Sequence, residues 1–253
     1  MASRLTRQMA LLPPRGTARL DHIAAGSCGG GIKAYEIMRE LSTQQQQVYQ
    51  ALREQLISGR FSPGTSVSLR GLSKSMGVGL MPVREAITRL GGERALEVRR
   101  NGRVCIPELT RRRFEELMHA RLQLEPLCAR LALPYVTLET IGVMEACDSR
   151  MNQSYGAKDA DAYMRENYQF HFELYRAGGS EVIVALLESI WMQFGPFMRS
   201  VYEMSETTSI VDKHQMTLEA IRRRDAEALG VAIKADILDA IHLLKQTLGN
   251  DTL

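Results

Sequence analysis

Arg84 and Thr88 are spaced so that both would lie on one face of a helix. The apolar residues Val83, Ile87 and Leu90 recur at helical spacing on the opposite face, which predicts a buried stripe behind a polar surface. Arginine and threonine are residue types that contact DNA phosphates and base edges. This segment is therefore predicted to pack against a core on one side and to face a nucleic acid on the other.

The residues before this segment predict a first helix and a tight turn. The apolar spacing indicates a helix over Leu69–Met76, joined to the second helix by the three residues 77–79. The second helix is predicted to begin at Leu80 or Met81, with Pro82 in its first turn, where a missing N–H group costs nothing. The order helix, turn, helix is that of a helix-turn-helix unit.

Two short β segments, 96–99 and 103–106, follow the second helix. They flank Asn101 and Gly102, and Asn-Gly is the strongest short-range signal for a hairpin. A basic hairpin after a helix-turn-helix is the layout of a winged helix-turn-helix. Such a unit places its second helix in the major groove and its hairpin beside the backbone or the minor groove.

The charge of the chain is strongly polarised, although its formal net charge is only +3. Residues 43–113 contain 13 Lys and Arg against 5 Asp and Glu, whereas residues 114–253 contain 13 against 21. A basic segment ahead of an acidic one is typical of a polyanion-binding domain joined to a domain with another purpose.

The basic segment resembles the GntR family of bacterial transcription regulators. Residues 59–64 match the family's G-x-[FL]-x-P-G turn, residues 69–78 match its L-x-x-L-[AS]-x-x-x-G-V helix, and residues 82–86 match its P-V-R-E-A block. The resemblance implies a homodimer that binds a double-stranded DNA operator. The residues that we expect at the DNA are Arg70, Leu80, Met81, Arg84, Thr88, Asn101, Gly102 and Arg103.

One part of the family pattern is altered. The family has Ser/Thr-Arg-Thr before its P-V-R-E-A block, and that arginine reads a guanine, whereas this chain has Gly79, Leu80 and Met81. Leu80 cannot make the bidentate contact to guanine, but it could touch a thymine methyl group. We expect an unusual operator or a weaker sequence readout. An alternative for Arg84 is a surface arginine paired with Glu85.

The rest of the chain predicts an antiparallel bundle of helices with short connections. It resembles the all-helical ligand-binding FCD domain of the FadR-like branch. The fold class is therefore mainly α, with an N-terminal winged helix-turn-helix and a C-terminal six-helix bundle. The predicted domains are a flexible extension at 1–42, a DNA-binding domain at 43–108 and an effector-binding and dimerisation domain at 109–250. The predicted helices are 110–133, 137–156, 159–178, 180–204, 208–224 and 225–248.

The FCD resemblance also implies a metal site. It places metal ligands at Asn167, His171 and His214, and at a third histidine position that Asp236 occupies in this chain. Two imidazoles, a carboxylate and an amide oxygen could bind Zn, Ni, Mn or Fe as a divalent ion. The alternative is that these are ordinary core or surface residues, as isolated histidines on helices usually are.

The same resemblance places an arginine in the pocket, at Arg121. A guanidinium beside a metal ion suits a small carboxylate effector, which the arginine could bind bidentately. Tyr168 is expected to line this cavity as well. The alternatives are an Arg121 salt bridge to Glu125, four residues later, and a core position for Tyr168.

Two other classes of function remain open, namely a metal-dependent enzyme and a structural dimer with a degenerate metal site. No nucleophile, Gly-rich phosphate loop or second carboxylate cluster accompanies the histidines, so we expect a regulator and not an enzyme.

The remaining features predict a bacterial cytoplasmic protein with no membrane segment. No apolar run approaches the ~20 residues that a bilayer span requires. The four cysteines have no C-x-x-C spacing, which favours reduced thiols. Residues 1–42 contain breakers such as the three glycines at 29–31, and translation starting at Met38 is an alternative.

Overall fold

The computed structural model describes residues 29–99, 103–108, 110–178, 180–204 and 213–248, and the side chains of those within 43–199, of residue 202 and of residues 213–239. The order of its elements is α1 (Gly29–Ile57), β1 (Ser66–Val67), α2 (Leu69–Met76), α3 (Leu80–Gly92), β2 (Glu97–Val98), β3 (Val104–Cys105), α4 (Arg111–Ala132), a 3₁₀ turn (Leu133–Tyr135), α5 (Leu138–Ala157), α6 (Ala160–Ala177), α7 (Glu181–Met204), α8 (Lys213–Arg222) and α9 (Ala226–Leu248).

The first half of this order is a winged helix-turn-helix, as predicted. Helix α2 has the predicted bounds, and α3 begins at Leu80, one of the two predicted starts. Helix α1 begins at Gly29, well before residue 43, which is the predicted start of the DNA-binding domain. The predicted flexible extension thus contributes residues 29–42 to a helix, and its residues 1–28 lie outside the described part of the chain.

The wing is a small antiparallel sheet in which β3 lies between β1 and β2. Val104 pairs with Val67 on one side and with Val98 on the other. Arg99 N donates to Arg103 O at 2.8 Å, which closes the hairpin around the predicted Asn-Gly turn. Val104 and Cys105 are buried, so the central strand anchors the wing to the core of the domain.

The second half is the predicted bundle of six helices, α4 to α9. Thr110 caps α4, and its hydroxyl accepts from Arg113 N at 3.2 Å. Pro126 and Pro196 lie inside α4 and α7, and both helices continue through them. The bundle core is continuous and rich in aromatic residues, including Phe114, Phe170, Phe172, Tyr175, Trp191, Phe194 and Phe197.

Helix α7 holds the two halves together through backbone contact. A Cβ atom on Gly195 would lie 2.2 Å from Leu56 O and 2.5 Å from Ile57 O, so only glycine lets α7 approach the end of α1. Gly59 has a φ of +68°, and a Cβ there would lie 2.6 Å from Gly195 O. Ser189 Oγ adds a hydrogen bond of 2.7 Å to Glu93 O, just after α3.

Helix α7 bears on the expectation that no apolar run is long enough to span a bilayer. By length and mean hydropathy alone, its segment Glu181–Arg199 passes as long and apolar enough to cross a membrane, and it is the one such helix among the described residues. Leu187, Trp191 and Phe194 of this segment are buried in the bundle core, so packing within the protein explains its apolar composition.

Candidate DNA-binding surface and metal centre

The outward face of α3 carries the predicted contact residues together. Leu80, Met81, Arg84 and Thr88 are all exposed, with Leu80 at 46% and Met81 at 59% of full exposure. The opposite face buries Val83, Ile87 and Leu90. No described residue buries this apolar pair at the start of α3, which is consistent with contact to an external surface.

The turn before α3 fixes the angle between the two helices. Gly77 ends α2 in the left-handed region with a φ of 64°, a conformation that glycine adopts without strain. Ser68 caps the start of α2 by accepting from Gly71 N, and Ser73 Oγ donates to Val78 O at 2.6 Å. These bonds hold the recognition helix rigidly, which a surface that reads DNA requires.

The guanidinium groups on this side are exposed. Within the described residues, no ion pair or side-chain hydrogen bond engages Arg84, so the alternative pairing with Glu85 is not what the structure has. Arg70 on α2 and Arg103 on the wing are exposed too. The predicted wing-tip residues Asn101 and Gly102 lie outside the described residues. Their DNA contacts, like those of the exposed set, remain predictions.

The bundle brings three of the four predicted metal ligands together. His171 on α6, His214 at the start of α8 and Asp236 on α9 offer ligand atoms that all lie within 4.8 Å of one another. His171 Nε2 is 3.4 Å from Asp236 Oδ2, and His214 Nε2 is 3.8 Å from Asp236 Oδ1. His171 Nε2 is buried and makes no hydrogen bond within the described structure.

Both imidazoles are oriented by partners on their other nitrogen. His214 Nδ1 lies 3.2 Å from Asp148, which also accepts from Gln215 Nε2 at 2.7 Å. His171 Nδ1 lies 3.4 Å from Tyr175 Oη. Partners of this kind fix the ring orientation of metal-binding histidines and leave the second nitrogen for the ion.

The electrostatics of the cluster favour ionised carboxylates. Burial raises the pKa of Asp236, but the contact with His171 and the charges of His214 and Arg121 outweigh burial and bring the pKa to about 2. Burial likewise raises the pKa of Asp148, but its bonds to His214 and Gln215 leave the pKa below its ordinary value. An anionic oxygen beside two imidazoles is a donor set that suits a divalent transition metal.

The residues present fit such an ion after a small adjustment. Bonds of about 2.0–2.2 Å to nitrogen or oxygen keep two donors at most about 4.4 Å apart, slightly less than the widest spacing here. The unsatisfied nitrogen of His171 is the observation that favours an ion over a closed polar network. Asn167 is buried one turn before His171 on α6, and its role as a fourth ligand remains a prediction.

Arg121 does make the salt bridge that was its alternative role. Its Nε donates to Glu125 Oε1 at 2.5 Å, and the carboxylate of Glu125 also accepts from Tyr175 Oη at 2.7 Å and Trp191 Nε1 at 3.0 Å. Arg121 is 3% exposed and Glu125 is fully buried. Nη1 of Arg121 is nevertheless buried without a hydrogen bond in the described structure, so the guanidinium retains a free donor.

Tyr168 is the predicted site residue that the structure does not bring into the cluster. Its ring stacks on Phe172 at 4.2 Å, and its hydroxyl accepts from Arg53 at 2.5 Å and from Arg176 at 2.8 Å. Among the described contacts, none joins it to His171 or its co-ligands. Tyr168 points instead towards α1, where it lies in a cleft between the two halves of the protein.

Three residues of the site carry no signal of their role in the sequence. Glu125 is an acceptor shared by several donors of the site, and Asp148 orients His214. Tyr163 lies close to Asp236. Burial is the largest cause that raises the pKa of Tyr163, and the charge of Asp236 is the second. The exception is the contact between Arg121 and Glu125, which their four-residue spacing indicated as an alternative.

Comparison with known proteins agrees with both halves of the fold. The family of bacterial regulatory proteins called gntR matches residues 44–106, and the FCD domain matches residues 116–239. The chain belongs to the GntR family, in the branch that carries an FCD domain.

Relatives of the chain are transcription regulators. The HTH-type transcriptional regulator McbR of Escherichia coli is 25% identical over 184 residues, which cover 72% of this chain and 83% of that protein. The gluconate operon transcriptional repressor of Bacillus subtilis is 26% identical over 184 residues, covering 69% and 74%. The solved structure of E. coli McbR/YncC has a TM-score of 0.76 at 23% identity, covering 81% of this chain and 99% of that one, and so shows the same fold.

The chain is therefore a DNA-binding transcription regulator and not an enzyme. Residues 44–106, which include the helix-turn-helix and the wing, match the gntR family, and the helical bundle contains the FCD domain.

Proposed function

We propose that this GntR-family regulator binds its operator as a homodimer and that a small carboxylate, held in the bundle through a divalent metal ion, modulates its affinity for DNA. The two domains would act over the predicted spans 43–108 and 109–250. Because its target is chromosomal DNA, we place the protein in the bacterial cytoplasm.

The observation that carries the metal part of the proposal is the unsatisfied Nε2 of His171. This atom is buried 3.4 Å from Asp236, while the other ring nitrogen is occupied by Tyr175. At this distance the nitrogen and the carboxylate oxygen do not form a good hydrogen bond, and an ion bound between them would give both a closer partner. His171, His214 and Asp236 would hold the ion, with Asn167 as a candidate fourth ligand.

The carboxylate part of the proposal is supported by Arg121. Its buried Nη1 has no hydrogen-bond partner in the described structure, and its positive charge helps to lower the pKa of Asp236. One oxygen of a carboxylate could therefore ligate the ion while another accepts from Arg121. One relative is named for the gluconate operon, and gluconate is itself a carboxylate. This supports a carboxylate as the class of effector, but it does not identify gluconate as the effector of this protein.

Metal content tests the first step. Protein purified without chelator should contain about one equivalent of Zn, Ni, Mn or Fe per chain, because the three donors form one site. Asp236→Ala should lose the ion, and Asp236→His should retain it by supplying the family's third imidazole. His119→Ala is the matched control, since His119 is an exposed histidine on α4. Metal far below one equivalent, with no gain in thermal stability on adding these ions, would refute the site.

Effector binding tests the second step. Small carboxylates should raise the melting temperature of the metal-loaded protein and change its retention of operator DNA, and both effects should vanish after dialysis against chelator. By linkage, the ligand and DNA must alter each other's affinity by the same factor. Equal effects in metal-loaded and metal-free protein would show that the carboxylate does not bind through the ion.

A further inference from the structure

A cavity lies between the DNA-binding domain and the bundle. It has a volume of about 490 Å³, which is within the range of small-molecule sites. Helix α1 and the turn after it form one wall, and α6 forms the other. Its charged lining residues are Arg53, Arg60, Arg165 and Arg176 against Glu54 and Asp161.

The arginines that line this cleft, which we call the interdomain cleft, share their carboxylate partners with other arginines. Among the described residues, three carboxylates around the cleft each contact two guanidinium groups. The pairs are Glu188 with Arg53 and Arg176, Asp161 with Arg60 and Arg199, and Glu166 with Arg150 and Arg165.

The surplus charge is accessible to a ligand. The side chains of Arg60, Arg165 and Arg176 are 54%, 65% and 42% exposed, although each already contacts a carboxylate. Among the residues that line the cleft, four arginines face two carboxylates, Glu54 and Asp161. Guanidinium groups with unused N–H donors around a concave surface are a recognised arrangement for binding oxyanions.

We propose that the interdomain cleft is a second ligand site, which takes a small oxyanion with two or more negative charges, such as a phosphate monoester or a polycarboxylate. Arg60 from the DNA-binding side and Arg165 from α6 are its accessible donors, and Tyr168 and Arg53 form its floor. The site is separate from the metal cluster and uses none of its ligands.

The position of the cleft gives this site a route to the DNA. Arg53 lies on α1, whose buried Leu52 and Leu56 share a core with Val83 and Ile87 of α3. An anion that draws Arg53 from Glu188, or that bridges Arg60 and Arg165, would act directly on the contact between the two halves.

Isothermal titration calorimetry tests the proposal on the full-length, metal-free protein, in which the bundle site is not loaded. The probes are glucose 6-phosphate and tricarballylate, with glucose as the uncharged control and ionic strength held constant. At least one anion should bind saturably with one site per chain, and the better probe identifies the phosphate or the carboxylate class. Glucose should not bind.

Two double variants form a matched pair. The first combines Arg60→Gln and Arg165→Gln and removes two donors that line the cleft. The control combines Arg199→Gln and Arg150→Gln. These two arginines contact the same carboxylates, Asp161 and Glu166, but do not line the cleft. The lining pair should weaken binding by more than about 10-fold, and the control pair by less than about 3-fold. Absence of saturable binding to either anion, or equal loss in both double variants, would overturn the site. Since neither result depends on a bound metal, failure here leaves the bundle proposal unaffected.

Discussion

The DNA-binding surface and the bundle interior use arginine in opposite ways. Arg84 on α3 is exposed and makes no ion pair within the described residues, whereas Arg121 on α4 is 3% exposed and bonded to a fully buried carboxylate. The charge of Arg84 is available to an external partner, while the charge of Arg121 is paired with Glu125 inside the protein.

The contrast separates recognition from stability. A change at the DNA-binding surface should alter binding and leave folding intact, because little is packed against it. A change in the bundle interior should alter folding first, because donors and acceptors there lose their only partners. The predictions below test this separation, from the largest expected effect to the smallest.

Removal of the buried acceptor should have the largest effect. Glu125→Ala would leave the charge of Arg121 buried without its partner, together with the donors of Tyr175 and Trp191, and should lower the free energy of unfolding by about 3–5 kcal/mol. Urea denaturation measures this. The control is Glu145→Ala, which breaks an exposed ion pair to Arg222 and should cost less than about 1 kcal/mol. Similar losses in the two variants would abolish the distinction between the regions.

Adding a methyl group at Gly195, where α7 meets the end of α1, should have the second-largest effect. Gly195→Ala would place a carbon 2.2 Å from Leu56 O, and relief of this overlap requires α7 to move away from α1 at a cost of about 1–3 kcal/mol or more. Differential scanning calorimetry should show a lower melting temperature. Gly156→Ala on α5 is the control, because no atom lies within 4 Å of its added carbon. An unchanged melting temperature for Gly195→Ala would mean that the two helices are less closely packed than described.

Loss of the exposed arginine should affect binding alone. Arg84→Ala should weaken specific operator binding by about 1–3 kcal/mol, or roughly 5- to 150-fold, because an arginine contact to DNA is of that size. The helical circular dichroism signal should stay unchanged. Arg222→Ala, an exposed arginine on α8, should leave operator retention in gel shifts at the wild-type level. Unchanged retention by Arg84→Ala would remove this residue from the DNA contact.

The apolar residue at the start of α3 should give the smallest effect. If Leu80 packs on a thymine methyl group, Leu80→Ala should cost about 1 kcal/mol of binding to the selected operator. Replacing the contacted thymine by deoxyuridine should cost the wild type a similar amount and should cost Leu80→Ala almost nothing. Additive losses from the two changes would show that Leu80 does not contact that methyl group.

The sequence predicted the fold because its signals are local. The glycines at 77 and 79, the apolar spacing of α3 and Pro82 in its first turn each act within a few residues, and α2 has its predicted bounds. The start of α1 was missed because the glycines at 29–31 were interpreted as a linker, whereas α1 includes them.

The candidate site was only partly predictable, since its contacts join distant segments. Family resemblance supplied His171, His214 and Asp236, and the structure brings them together. It also suggested that Tyr168 would join them, but the tyrosine hydroxyl contacts Arg53, 115 residues earlier in the chain. No spacing rule within one helix reveals a partner at that separation.

The contact between Gly59 and Gly195 limits how a signal can travel through this protein. With the backbones of α1 and α7 touching, the recognition helix and the bundle of one chain resist sliding past each other at that point. A ligand that acts on the contact between the two halves would therefore have to turn the recognition helix about this joint, because sliding is resisted there. The direction in which α3 faces, more than its distance from the bundle, is what such a ligand could change.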